Sequence, residues 1–294
     1  MHIIDCHSHY EPEILDSAGI LQRMDNYKIN MIALMSKITE NPLYKKSNFL
    51  MSIQRNIISN KYSRPLAKIL DESFHRKKGE WNPWYRKFIK SKKSYKILIK
   101  PDNDSVFKLV NQYPKKFYGW IFLNPLIKNW ENDLLKYKDN EGTAGVKIHP
   151  FWHRYKLERA NKIAEYCNEY NLTLMIHLGF ESLNNIGNFI FKNNKIKIII
   201  PHCGFPYYSD LWKIIKDSNN LFIDLSSHHV SRYLVNKAVN YLGPHKCLYG
   251  VDDPYGDELA GQKFRNWIFS LDISLLEKEL IFSKNFLQIF QREL

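Results

Sequence analysis

Eight short apolar runs recur along the 294 residues of this chain, and they restrict its fold more than any other feature of the sequence. The runs are rich in isoleucine, leucine and valine without strict alternation, which is typical of strands buried on both faces of a parallel sheet. Stretches with helical spacing separate most of the runs, so the sequence predicts a (β/α)8 barrel, with an open doubly wound sheet as the alternative. The eight predicted strands span residues 2–6, 29–35, 117–123, 144–149, 172–178, 196–202, 220–225 and 246–251.

About 80 residues separate the second predicted strand from the third, which is far more than one connecting helix needs. Within this interval, residues 41–100 hold 16 Lys and Arg against three acidic residues, which is a net charge of +13. The whole chain has the same formal net charge, so its excess of cations lies in this segment. Interleaved aromatic residues favour an ordered, mainly helical insertion after strand 2. We therefore expect a single barrel domain over residues 1–294, with an insertion at 41–100 and a helical segment at 274–290 packed outside the barrel.

The composition favours a protein without disulfides or membrane segments. Four scattered cysteines without a Cys-x-x-Cys pair indicate reduced thiols. The first residues lack a basic stretch followed by an apolar one, and no apolar run approaches the roughly 18–20 residues of a membrane helix. We expect a soluble cytoplasmic protein.

The clearest chemical signal is the motif Asp5-Cys6-His7-Ser8-His9 at the end of the first predicted strand. Residues two apart on a strand share a face, so we expect Asp5, His7 and His9 to point one way. Cys6 alternates with them and is expected to point into the barrel wall. Two neutral imidazoles on an inward face can bind one metal ion, and the alternative is a polar strand end without a function.

Three later apolar strands also end in an ionisable residue, namely His177, His202 and Asp252. In a (β/α)8 barrel the carboxyl ends of the strands form the mouth where such enzymes keep their sites. A structural role is the ordinary explanation for any one of these residues, but four strand ends with metal-ligand chemistry indicate a site. One set of them suits Zn²⁺ or another borderline divalent ion, with a position left for water. The set comprises His7, His9, His177 and Asp252.

Five motifs occur in an order that resembles the amidohydrolase superfamily, and specifically its amidohydrolase-related branch, which also contains metal-dependent decarboxylases. The motifs are DCHSH at the first strand, GVKIHP at 145–150, LMIHLG at 174–179, PHCGFP at 201–206 and YGVDDP at 249–254. The resemblance implies a distorted (β/α)8 TIM barrel, with His202 as a catalytic or second-metal residue. The metal ligands that it implies are His7, His9, His177 and Asp252.

The resemblance also implies roles for the polar residues at the mouth. Asp252 is expected to accept the proton of a water activated by the divalent ion and to deliver it to the leaving group. His202 is expected to hydrogen-bond or polarise the substrate carbonyl as charge develops. Lys147 on the fourth strand either binds a substrate carboxylate or pairs with an acid, or it is carboxylated and bridges two metals, as in some superfamily members.

Three further residues are candidates for contact with a substrate. His149 shares a strand face with Lys147, and both Ser226 and His228 follow the seventh predicted strand. For each of the three, a structural or solvated side chain is the alternative interpretation.

We expect a metal-dependent hydrolase that cleaves an amide, lactone or related carbonyl substrate, and the cations of Lys147 and the insertion favour an anionic one. A metal-dependent decarboxylase of a small unsaturated or aromatic acid is the first alternative, because the same site serves both reactions. A metal-dependent nuclease or nucleic-acid binder is the second. Related nucleases of this barrel type carry a glutamate on the fourth strand, where this chain has Lys147, so nucleic acid is not the expected partner.

The expected cofactor is one zinc ion, with manganese or iron as alternatives and two ions if Lys147 is carboxylated. The expected partner is a small molecule rather than a membrane. Barrels of this branch frequently form dimers, so the resemblance also makes a homodimer an expectation.

Overall fold

Eight parallel strands form the wall of a nearly closed barrel, and each pairs with the next barrel strand along the chain. The structure is a computed structural model and describes residues 1–40, 48–70, 76–77, 80–81, 95–227, 229–255 and 258–290. The prediction of a (β/α)8 TIM barrel is confirmed. The barrel strands are β1 (Ile4–Tyr10), β2 (Met31–Ser36), β3 (Phe117–Leu123), β4 (Thr143–Ile148), β5 (Leu174–Ile176), β6 (Ile198–Ile200), β7 (Leu221–Asp224) and β8 (Cys247–Leu248).

Hydrogen bonds just beyond β8 join the last strand to the first. Asp252 N donates to His7 O at 2.7 Å, so the two backbones meet at the carboxyl end of β1. The Asp5 carboxyl group adds a side-chain bond across the same seam, because its Oδ1 accepts from Val251 N at 3.0 Å. The barrel is therefore closed at the point where two of the predicted site motifs lie.

Helices cover the outside of the barrel and follow most of the strands. Short polar side chains cap several of them: Asp16 accepts a hydrogen bond from Gly19 N, and Ser182 accepts one from Asn185 N. The helices are α1 (Ser17–Tyr27), α2 (Asn48–Ser59), α3 (Arg64–Leu70), α4 (Asn103–Gln112), α5 (Glu131–Tyr137), α6 (Pro150–His153), α7 (Asn161–Glu169), α8 (Leu183–Lys192), α9 (Ser209–Lys216), α10 (Arg232–Leu242), α11 (Ala260–Phe269), α12 (Leu275–Glu279) and α13 (Asn285–Ile289). A π-helical turn spans Leu280–Lys284, and 3-10 turns span Leu157–Ala160, His202–Gly204 and Pro244–Lys246.

The interior of the barrel is an apolar layer contributed by alternate strand residues. These residues are Ile4, Cys6, Ala33, Met35, Trp120, Ala144, Met175, Ile199 and Leu248. Helix α13 packs Phe286, Leu287 and Ile289 against this layer. Asn285 at its start donates to Cys247 O at 2.8 Å, at the amino-terminal end of β8. The C-terminal helix therefore covers the amino-terminal opening of the barrel, whereas we expected residues 274–290 to pack outside it.

Replacing Phe286 by alanine is expected to lower the free energy of unfolding by about 3–5 kcal/mol, because the side chain is 2% exposed and fills this opening. Urea unfolding followed by circular dichroism measures the change. Phe191→Ala is the matched control, because Phe191 is 80% exposed and its removal is expected to cost less than about 0.5 kcal/mol. Equal losses for the two variants would contradict the proposed packing of α13.

The described part of the insertion contains α2, α3 and three two-residue strands. The strands span Arg76–Lys77, Glu80–Trp81 and Tyr95–Lys96 and form a small antiparallel sheet. The prediction of helices is confirmed for α2 and α3, while the sheet was not predicted; residues 41–47, 71–75, 78–79 and 82–94 lie outside the described residues. Arg64 of α3 lies 4.3 Å from the ring centroid of Tyr207 and donates to Pro206 O at 3.2 Å. These contacts attach α3 to the loop after β6.

No helix among the residues that the structure describes has the length and apolar composition needed to cross a membrane. All four cysteines are buried, and each is a free thiol in this structure.

Candidate metal centre

The carboxyl ends of six barrel strands bring buried polar side chains together at one mouth. This is the end of the barrel at which (β/α)8 enzymes hold their catalytic residues, because the loops that follow the strands meet there. The buried residues are His7, His9, Lys147, His149, His177, His202, Asp224, Ser226 and Asp252. Asp224 was not predicted, and His228 lies outside the described residues.

A bulge near the end of β1 changes which of its residues face the mouth. The register between β1 and β2 shifts between Asp5 and Ser8, so strict alternation does not apply there. Asp5, Ser8 and His9 line a cavity beneath α1, and Ser8 Oγ donates to Asp5 Oδ2 at 2.6 Å. Cys6 instead packs in the interior layer. Ile4 and Cys6 both face the interior, so Asp5 between them points outwards. The expectations that Asp5 shares a face with His7 and that Cys6 points into the wall are therefore wrong.

Three histidines at the mouth are fixed in the same tautomer by their neighbours. His9 Nδ1 lies 2.8 Å from Ser36 O, and His177 Nδ1 lies 3.0 Å from Leu178 O. A carbonyl oxygen only accepts hydrogen bonds, so each Nδ1 carries the proton and each Nε2 keeps a lone pair. His7 Nδ1 is placed in the same way, 2.7 Å from a carboxylate oxygen on β7.

The free ring nitrogens of β1 converge on the carboxyl group that follows β8. His7 Nε2 and His9 Nε2 each lie 3.7 Å from Asp252 Oδ1. Ligands held at about 2.1 Å by one tetrahedral ion are separated by about 3.4 Å, so these three atoms have the spacing that a divalent ion needs. His177, the fourth predicted ligand, lies at the same mouth with its ring centroid 5.0 Å from that of His202, outside this group of three.

Burial keeps the imidazoles in the neutral form that binds metals. It lowers the pKa of His9 to about 3, and it lowers the pKa of His7 and His177 well below the usual range, with the charge of Lys147 adding to the effect. Burial also raises the pKa of Asp252 well above its usual range, against a hydrogen bond from Ser227. The site therefore favours a bound cation, which would compensate the buried carboxylate.

Two of the mouth residues have strained backbones. His202 has φ = 60° and Asp252 has φ = 67°, in the left-handed region that residues other than glycine rarely adopt. Such conformations cost about 1–3 kcal/mol each and concentrate at functional sites. The strain therefore marks both residues as positions where side-chain placement matters more than local stability.

Asp224 at the end of β7 is the site residue that sequence reasoning missed. Its side chain is fully buried and contacts the ring of His7, the backbone of His202 and both the backbone and the hydroxyl of Ser226. The signal was present in the motif NLFIDLSS, because an apolar strand ends there in one ionisable residue. The same rule that selected His177 and Asp252 selects Asp224.

Lys147 is fully buried at the mouth, and within the described part of the chain its Nζ has no hydrogen-bond partner. Burial lowers the pKa of Lys147 to about 8, against the opposing effect of Asp224 and Asp252. A buried ammonium without a hydrogen bond is costly, which favours a ligand that would supply the missing acceptor.

His149 is fixed in the opposite tautomer from the ligand candidates. Its Nδ1 accepts a hydrogen bond from Trp152 N at 3.2 Å, so the proton lies on Nε2. The ring stacks on His177 with a centroid separation of 4.0 Å. Ser226, which was predicted to bind substrate, is fully buried and its hydroxyl is engaged by Asp224 and His202.

A closed parallel barrel with a histidine- and aspartate-lined mouth defines an enzyme with a candidate divalent-metal centre. The amidohydrolase family model matches residues 97–291, and the chain belongs to this family. No curated protein matches the sequence significantly.

Solved structures of the same fold include enzymes of two reaction types. The 5-carboxyvanillate decarboxylase from Sphingomonas paucimobilis is 14% identical, with a TM-score of 0.60 over 99% of each chain. A probable 2-pyrone-4,6-dicarboxylic acid hydrolase from Acinetobacter baumannii is 14% identical, with a TM-score of 0.59 over 99% of this chain and all of the other. The dihydroxybenzoic acid decarboxylase from Polaromonas sp. JS666, solved with bound manganese and 2-nitroresorcinol, is 14% identical, with a TM-score of 0.56 over 99% of this chain and 97% of the other. At these identities the similarity establishes the fold.

Proposed function

We propose that this enzyme is a metal-dependent hydrolase that cleaves an amide, lactone or related carbonyl bond in an anionic small molecule. The observation that carries the proposal is the convergence of His7 Nε2 and His9 Nε2 on Asp252 Oδ1. Two neutral nitrogens and one carboxylate oxygen form a donor set that suits zinc and other borderline divalent ions. His177 would complete the set from the same mouth.

A bound divalent ion would polarise a substrate carbonyl and bring the pKa of water towards about 7. We propose one ion, and zinc as the first candidate, with manganese or iron as alternatives. The second candidate group of ligand atoms belongs to His7, His202 and Asp224. In that group His7 Nδ1 and Asp224 Oδ2 are 2.7 Å apart and share a proton, so a second ion would first have to displace it.

Asp252 serves as the base in this proposal. Its carboxylate form would accept the proton of an attacking water, because a bound cation beside it would keep the group ionised despite its burial. The same carboxyl group then returns the proton to the leaving atom. The role is supported by the position of Asp252 beside the two ligand nitrogens of β1.

The tautomers of His202 and His149 indicate which of the two rings can accept a proton and which can donate one. His202 Nδ1 contacts Ser226 Oγ at 3.0 Å, and this hydroxyl donates to Asp224, so neutral His202 offers a lone pair at Nε2. His202 is therefore suited to accept a proton rather than to donate one to a carbonyl, which refines the role expected from the sequence. His149 carries its proton on Nε2 and is the neutral donor that we propose for the substrate.

The anionic character of the substrate is supported by two sources of positive charge. Lys147 places an ammonium group at the mouth, and no described residue forms a hydrogen bond with it. The insertion approaches from the β6 side, where Arg64 contacts Tyr207. Burial lowers the pKa of His229 to about 3, and the charge of Arg55 adds to this effect. The ring of His229 lies 6.0 Å from that of His202. The insertion thus brings cations close to the mouth.

Metal removal is expected to abolish turnover, because the water and the carbonyl would lose their activating charge. The test compares chelator-treated protein with protein reloaded with zinc, manganese or iron, on a panel of anionic lactones and amides analysed by mass spectrometry. Metal content per chain is measured on the same samples. Equal turnover in metal-free and reloaded protein would contradict the proposal.

Decarboxylation of a small aromatic or unsaturated acid is the second candidate. It is favoured by the placement of Lys147, because an ammonium there would hold a substrate carboxylate next to the candidate metal centre. The charges of Asp224 and Asp252 raise the pKa of Lys147 against the larger effect of burial, which favours the ammonium form. Two of the three solved structures described above are decarboxylases by name. Release of CO2 from a benzoate panel, without hydrolysis of the lactones and amides, would assign this reaction instead.

A further inference from the structure

The carboxylate of Asp224 is the centre of a hydrogen-bond network beneath the mouth. Its two oxygens are used differently. Oδ1 accepts from His202 N at 2.9 Å, from Ser226 N at 3.0 Å and from Ser226 Oγ at 2.5 Å. Oδ2 accepts from His7 Nδ1 at 2.7 Å. One oxygen therefore organises the loops after β6 and β7, and the other holds a single ring nitrogen of β1.

These contacts determine where the imidazole protons lie. Because the Ser226 hydroxyl donates to Asp224, its oxygen is left to accept from His202 Nδ1 at 3.0 Å. The ring of His202 stacks on that of His7 with a centroid separation of 4.9 Å and an interplanar angle of 24°. Both rings are almost completely buried, so protein groups set their tautomers.

We propose that Asp224 is a positioning residue that fixes the tautomer of His7 directly and that of His202 through Ser226, so that both rings present an Nε2 lone pair to the mouth. The consequence for metal binding rests on the proposed function, whereas the tautomers are a property of the metal-free chain. Carboxylates in this position orient metal-binding histidines and increase their basicity.

The substitution Asp224→Asn tests the proposal, because it replaces one acceptor oxygen of the carboxylate by a hydrogen-bond donor. The asparagine oxygen keeps the three contacts of Oδ1, which forces its NH2 group into the place of Oδ2. That group donates, so it would face the proton on His7 Nδ1 and drive the ring to the Nε2-protonated tautomer. The shape of the side chain is nearly unchanged.

Long-range ¹H–¹⁵N spectra of metal-free protein labelled at histidine report the tautomer of each ring. The signals of His7 are assigned as those that disappear when His7 is replaced. The wild-type chain is expected to show His7 and His202 protonated at Nδ1, and D224N is expected to show His7 protonated at Nε2. A folded D224N protein in which His7 stays protonated at Nδ1 would overturn the proposal.

Two further variants separate the direct contact of Asp224 with His7 from its indirect effect on His202 through Ser226, which we call the relay. Ser226→Ala removes the acceptor of His202 Nδ1 and is expected to change the His202 tautomer while His7 keeps its 2.7 Å bond. An unchanged His202 signal in S226A would overturn the relay, and this variant decides that part even if D224N fails to fold. Asp253→Asn is the matched control, because Asp253 pairs with Arg23 at 3.2 Å and its loss leaves both tautomers unchanged.

Zinc affinity, measured by competition with a chromogenic chelator, provides a second readout that a merely structural role would not produce. We expect D224N to bind zinc about 10- to 100-fold more weakly than the wild-type chain, and D253N to bind it within about 3-fold. If the wild-type chain binds no divalent ion, the proposed function fails, while the tautomer spectra still decide the role of Asp224. Equal zinc affinities of D224N and wild type would show that the network does not prepare the ligands.

Discussion

Replacing Asp252 by asparagine is expected to lower kcat by about 10³-fold, because it removes the proposed base. Asparagine keeps an oxygen that faces His7 Nε2 and His9 Nε2, each 3.7 Å away in the wild-type structure. It cannot accept the proton of an attacking water, so the base is lost while the outline of the site remains. Steady-state kinetics on the substrate that the panel identifies measure the effect.

Asp253→Asn is the control for this prediction, because Asp253 is the next residue and faces Arg23 rather than the mouth. Its kcat is expected to stay within about 3-fold of the wild-type value, since Asp253 Oδ2 pairs with Arg23 Nη1 at 3.2 Å and takes no part in the proposed proton transfer. Metal content is measured for both variants, so that loss of the ion is separated from loss of the base. A D252N protein that retains both metal and full turnover would exclude Asp252 as the base.

Replacing Lys147 by methionine is expected to change stability and substrate binding in opposite directions. The ammonium is buried without a hydrogen bond from the described residues, so an apolar side chain of similar length is expected to raise the free energy of unfolding of the metal-free protein by about 1–3 kcal/mol. Asp224 keeps its four hydrogen bonds, none of which involves Lys147. The same change is expected to raise KM for an anionic substrate about 10- to 100-fold, because a charge-assisted hydrogen bond is lost.

Denaturant unfolding and steady-state kinetics together check this prediction. Lys162→Met is the matched control, because Lys162 Nζ lies 2.7 Å from Glu131 Oε1 and its side chain is 60% exposed. It is expected to shift the free energy of unfolding by less than about 0.5 kcal/mol and to leave KM unchanged. A K147M protein that is less stable than the wild type would indicate that the lysine stabilises the fold instead of binding a ligand.

The strand pattern of the sequence predicted the architecture well because each barrel strand is buried on both faces. Burial selects continuous apolar runs, and the change to a polar residue marks the carboxyl end of the strand. The rule placed His177, His202 and Asp252 at one mouth, where the structure has them. The catalytic and metal-binding roles of these residues remain predictions. Asp224 satisfies the same rule, but the serines and histidines that follow it extend the polar run and obscure the end of the strand.

Local rules failed where a distant segment determines the geometry. Alternation along β1 predicted one face for Asp5 and His7, but pairing with β2 introduces a bulge that separates them. The sequence of the last helix predicts an amphipathic surface helix. In the structure Phe286 contacts the interior layer, because the amino-terminal opening of the barrel would otherwise expose apolar side chains. Neither the pairing register nor the open end of a barrel is visible in a short window of sequence.

The sequence by itself determined the fold class, the mouth and the types of side chain that line it, because apolar runs and their polar ends are local properties. Only the tertiary structure decided which nitrogen of each histidine is available. That choice depends on hydrogen-bond partners such as Asp224, which is 217 residues from His7 along the chain and reaches it only when the barrel closes. The position of α3, in the basic insertion, was decided in the same way, through the contact of Arg64 with Tyr207.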